Sequence, residues 1–132
     1  MNKKSIVVDK YNTVYSYDVY VVINPNKVEL DKRFKWAVDD SSIYDEDNAK
    51  LSAYSCIGVV DKSNNRQCFV VIVNGLTGDE YFDINTFSHE AFHVTMDILD
   101  SCRLSYSEDS CEAYAYLQGY ITECIYKTAK KV

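Results

Sequence analysis

The chain has 132 residues, of which 47% are hydrophobic, enough for one ordinary core and too many for a disordered chain. Twenty acidic against 14 basic residues give a net charge of −6, which argues against a general nucleic-acid binder, whose surface toward phosphate must be basic. Its apolar runs, such as Phe69 to Val73, are far shorter than the roughly 20 residues a membrane helix needs.

From the N-terminus, Ile6 to Asp9 reads as a short strand, and Asp9 and Lys10 interrupt the apolar run that a secretory signal would require. Residues 1–12 are a candidate masking segment. Thr13 to Ile23, rich in Val and Tyr, reads as a longer strand ending at Asn24-Pro25. Val28, Leu30, Phe34 and Val38 have loosely helical spacing and predict a helix over 26–38, followed by an acidic surface loop over 39–48. Two β-branched runs, Ala53 to Val60 and Gln67 to Asn74, flank an Asn-rich segment and predict a hairpin.

Two long helices are predicted to close the chain. The first starts at about Ile84 or Asn85 and ends at Asp100. The second covers about Ser107 to Thr128, with Ser107, Asp109 or Ser110 as its cap. Strands first and helices last indicate an α+β class: a small antiparallel or mixed sheet and two long C-terminal helices in one domain over 1–132. The twelve tyrosines fall mostly in strand-like runs or on the last helix, where half-buried packing accounts for them. The five cysteines are odd in number and form no CxxC pair, which fits reduced thiols in a cytoplasmic setting.

The chemistry lies in His89-Glu90-Ala91-Phe92-His93, an HExxH match. Histidines four apart on a helix stand one turn above each other, so both imidazoles reach one metal ion. The glutamate beside the first histidine is then close enough to take a proton from water at that ion, the arrangement a zinc hydrolase needs. With only two histidines and seven glutamates in the chain, the match arises by accident in roughly one shuffled sequence in a thousand. At about 100° per residue, Ile84, Phe87, Ala91, Val94 and Ile98 form a stripe expected to face the sheet. His89 and His93 project nearly opposite, toward a cover expected to be the last helix.

Catalytic zinc usually has three protein ligands, and no third histidine exists. Glu112, 19 residues after His93 and near the start of the last helix, is the leading third ligand. Glu123, Glu108, Asp109, Cys102 and Cys111 are weaker rivals. Asp97, one turn past His93, is a candidate for orienting a histidine ring. Tyr114, Tyr116, Tyr120 and Arg103 are the candidates for stabilising an oxyanion.

His89-Glu90-x-x-His93 followed by a helix carrying Glu112-Ala113-Tyr114 resembles the gluzincins, zinc peptidases whose third ligand is a glutamate on a later helix. The resemblance implies a minimal zincin-like domain with His89, His93 and Glu112 as zinc ligands and Glu90 as general base. It also implies a peptide or protein substrate paired along an edge strand, for which Gln67 to Asn74 is the candidate. Many gluzincins carry an aspartate where this chain has Tyr116. The last 45 or so residues are also similar to short HExxH proteins of tailed phages, which implies action in the host cytoplasm or the virion. Two other readings stand beside the peptidase. One is a zinc-binding structural or interaction module without catalysis; the other is a metal-free domain that binds proteins through its acidic, tyrosine-rich surface.

Overall fold

In the computed structural model, which describes residues 4–132, the chain opens with a hairpin. Strands β1 (Val7–Asn12) and β2 (Asp18–Ile23) pair antiparallel. The strand expected from Thr13 is broken by a turn. The Thr13 hydroxyl donates to the Tyr17 carbonyl at 2.8 Å and accepts from the Tyr15 N–H at 3.2 Å, and Ser16 has a φ of 65°. Such local side-chain bonds offer the backbone an alternative to the ladder. Of the candidate mask, residues 1–3 lie outside the described residues, and the rest ends as β1 at one edge of the sheet.

Helix α1 (Lys27–Arg33) is capped by Asn26, whose side chain accepts from the Glu29 N–H. It is shorter than the 26–38 expected, because the chain leaves it at Phe34 to form β3 (Phe34–Trp36) and bury that ring. The anticipated hairpin follows as β4 (Ala53–Asp61) and β5 (Arg66–Val73). The sheet order is β1-β2-β5-β4-β3; β2 and β5 are parallel and the other pairs antiparallel, so the sheet is mixed. β5 therefore lies inside the sheet, between β2 and β4, and cannot serve as the edge strand expected from Gln67 to Asn74.

Both sheet faces are covered. Val19, Val21, Ile23, Phe69, Val71 and Val73 pack against two C-terminal helices, α2 (Glu80–Ser101) and α3 (Cys111–Ala129). Tyr20, Val22, Val70 and Ile72 pack on the opposite face with Leu30, Phe34 and Ile43. Two-sided burial explains why β2 and β5 are nearly continuous in Val, Ile and Phe. α2 begins four residues before Ile84 because Asp79 caps it, accepting from the N–H groups of Tyr81 at 3.0 Å and Phe82 at 3.3 Å. That added turn is solvated and so lacks the apolar periodicity that marks the rest. α3 starts after Ser110, one of the three anticipated caps. Among the described residues no helix is long and apolar enough to cross a membrane.

Candidate metal centre

α2 is anchored on two sides. Phe87, Ala91, Val94 and Ile98 of the expected stripe are buried against the sheet, whereas Ile84, at its N-terminal end, is exposed; α3 runs along a second side, with Gln118 Nε2 donating to the Ser88 carbonyl at 3.4 Å. The histidine side is a third one. His89 and His93 are not covered by α3; they line an open groove between α2 and strand β4, together with Leu51, Ser55, Glu90 and Asp97. The expected cover was misassigned because a helix wheel gives directions around one helix but not which neighbour fills each of them.

Within the groove the imidazoles converge, with His89 Nε2 and His93 Nε2 3.2 Å apart and ring centroids 4.9 Å apart. Two nitrogens bound to one tetrahedral ion at about 2.0–2.1 Å lie about 3.3 Å apart, so the pair has the separation of two ligands on a shared zinc. The same distance also suits one imidazole donating a hydrogen bond to the other, and the two readings differ in what added metal does.

Glu90 is buried at 6% exposure, with Oε1 3.9 Å from His89 Nε2. Burial pushes its carboxyl above the usual carboxylate range, opposed by the charges of His89 and His93 and by hydrogen bonding from Ser55. Asp97, half-buried one turn further on, is raised for the same reason, with nearby His93 acting against the shift and Asp100 adding to it.

No family model, curated protein or solved structure matches the chain.

The strand bordering the histidine groove is β4, not β5 as expected from the sequence. The Ser52 carbonyl accepts from the Asn74 N–H at 3.0 Å, so alternate residues Ser52, Tyr54 and Cys56 turn their backbone groups to β5. Ala53 and Ser55 then turn theirs outward. β3 covers only Val59 to Asp61, and the Gly58 carbonyl is taken by the Ala37 N–H at 2.9 Å, leaving the outward edge from Ala53 to Ile57 unpaired among the described residues. A bulge ends this free edge: Ile57 and Gly58 together oppose Phe69, and Gly58 has a φ of 69°, where a glycine is favoured. Gly58 inside a β-branched run was the one signal in the sequence that pointed here.

The remaining candidates are elsewhere. Glu112 is exposed on the first turn of α3, and among the described residues no third His, Cys, Asp or Glu gathers with the histidine pair into a ligand set. Tyr116 and Tyr120 line a separate groove with Thr13, Val14 and Tyr15, where the Tyr120 hydroxyl donates to the Asn12 carbonyl at 2.8 Å. Tyr114 is buried, its hydroxyl donating to the Leu104 carbonyl. Neither groove pocket at the histidines is lined by a tyrosine of α3 or by Arg103. Asn85 and Thr86 line the groove beside His89 as neutral polar groups.

Proposed function

We propose that the protein is a zinc-dependent peptidase in which His89 and His93 hold the metal and Glu90 moves the proton. The observation that carries this reading is the convergence of the two imidazole nitrogens, 3.2 Å apart, beside a buried glutamate and an unpaired strand edge. Zinc bound there would supply a positive centre that polarises a carbonyl and acidifies water.

The chain's own groups supply the rest. Glu90, on the helix face shared with the histidines and β4, takes a proton from the attacking water and returns it to the leaving amine. A carboxyl raised by burial suits this exchange, because its proton affinity is closer to that of its partners. The Ser55 hydroxyl lies across the groove from that carboxylate as its polar neighbour. The outward N–H and C=O groups of Ala53 and Ser55 bind an extended backbone as an added strand and hold its carbonyl against the histidines. The groove, about 510 Å³ along this stretch, has room for side chains of a short peptide segment.

His89 and His93 would supply two ligands, and Glu112 is the sequence candidate for a third. All five cysteines are free, which supports a reducing compartment such as the cytoplasm. The alternative is a zinc-binding interaction module, favoured by the distance of the α3 tyrosines from the groove.

The test is zinc content by elemental analysis together with hydrolysis of a mixed peptide library. Wild type, Glu90→Gln and Glu112→Ala would be prepared side by side. The peptidase reading expects zinc in wild type and Glu90→Gln, with hydrolysis only in wild type. Zinc without hydrolysis in wild type leaves the interaction module, and no zinc in wild type sinks both readings. Loss of zinc in Glu112→Ala would make Glu112 the third ligand after a shift of α3.

A further inference from the structure

The histidine pair divides the groove into two chemically different halves. Toward the start of α2 the walls are Leu51, Phe82, Asn85 and Thr86, apolar and neutral. Toward its end they are Ser55, Ile57, His93 and Asp97. Of the charged groups that line the groove apart from the histidines, both are acids, Glu90 and Asp97, and no Lys or Arg is among them.

Asp97 differs from the other partly covered aspartates of the chain. Asp9 is paired with Lys131 and Thr128, Asp31 with Lys27 and Ser42, Asp83 with Thr77, and Asp18 with Lys10. The Asp97 carboxylate has no hydrogen bond or ion pair among the described residues, although it is half-buried and lines a groove. A partly desolvated carboxylate is costly without a partner. Beside it, Ile57 is 51% exposed on the bulged end of β4 and offers an aliphatic surface without a cover.

We infer that the Asp97 half of the groove is a subsite for a lysine or arginine side chain of the bound peptide, and that Asp97 sets this preference. The methylene stem lies along Ile57 and the cationic head meets the carboxylate, the division these side chains favour at half-buried sites. Spacing agrees. Asp97 is four residues, about 6 Å along the helix, beyond His93, and side chains on one face of a strand recur at about 6.6 Å. A strand whose reacting carbonyl sits at the histidines thus brings a nearby side chain to Asp97.

This inference rests on the peptidase reading, and its test separates the two. The zinc-loaded full chain would be given a peptide library, with the residues flanking each cut identified by mass spectrometry. In parallel, fluorescein-labelled peptides differing only in a central Lys, Leu or Glu would be bound and followed by anisotropy. Wild type, Asp97→Asn and Asp97→Lys would be compared. The expected result is a preference for Lys or Arg over Leu of about fivefold, the size a partly exposed ion pair gives. Asp97→Asn should erase it and Asp97→Lys should turn it toward Glu, with zinc content unchanged. An unaltered preference overturns the inference while leaving the peptidase intact. Loss of zinc in Asp97→Asn also overturns it, since Asp97 would then serve the metal. If no variant cuts any peptide, the peptidase reading fails, and anisotropy alone decides the subsite: a Lys preference that depends on Asp97 supports it, and its absence refutes it.

Discussion

Replacing His93 by alanine tests the histidine clamp with a result of predictable size. A 3.2 Å separation with bonds of about 2.05 Å subtends about 103° at a shared ion, close to the tetrahedral angle, so the clamp needs little rearrangement to bind. Structural zinc sites hold their ion by about 10–16 kcal/mol over four ligands, so one imidazole is worth about 3 kcal/mol, or roughly 100-fold in affinity. Binding to the native state alone stabilises it. At free zinc of about 100 times the wild-type dissociation constant the gain is about 2.7 kcal/mol, which for a chain of this size raises Tm by about 10 °C. In His93→Ala the same zinc stands near its weakened dissociation constant, and the gain falls to about 0.4 kcal/mol, or about 1.5 °C. Because His93 is exposed, its removal by itself should shift the zinc-free Tm only slightly. Differential scanning fluorimetry with and without zinc reads all four values. A wild type whose Tm does not respond to zinc, or a variant that keeps the full response, would refute the clamp and favour a plain hydrogen-bonded imidazole pair.

Other consequences are independent of that one. Since burial raises the Glu90 carboxyl in the folded state, its contribution to stability is present below the ordinary glutamate range and is lost as pH rises through the folded value. Urea unfolding from pH 4 to pH 8 should therefore show wild type losing stability relative to Glu90→Gln as pH rises; a parallel pair of profiles would contradict the shift. Ala53→Pro removes an outward N–H without touching the β5 ladder, so the fold should persist while peptide binding weakens at least several-fold; an unchanged dissociation constant would argue against the β4 edge as the binding strand. Ile98→Ala empties a fully buried position between α2 and the rest of the core and should cost about 2–5 kcal/mol in chemical denaturation.

Much of the fold was legible locally. The β4–β5 hairpin, the two late helices and the buried stripe of Phe87, Ala91, Val94 and Ile98 all follow from periodicity and turn residues. Misses fell where side chains overrule periodicity: the Thr13 turn that shortens β2, and the Asp79 cap that starts α2 a turn early. The five strands and three α-helices between Val7 and Ala129, two of those helices long and C-terminal, agree with the α+β reading.

The sequence by itself determined the pairing of His89 with His93, because a helix repeat of 3.6 residues puts positions four apart on one side whatever surrounds them. It also determined that Glu90 stands next to that pair. Tertiary structure alone decided which neighbour the pair meets. Sheet order β1-β2-β5-β4-β3 makes β5 internal, the short β3 leaves Ala53 to Ile57 of β4 uncovered, and α3 takes the other side of α2, leaving Glu112 exposed and out of the histidine groove. Strand order and helix placement arise from contacts between residues far apart in the chain, and local spacing carries no record of them.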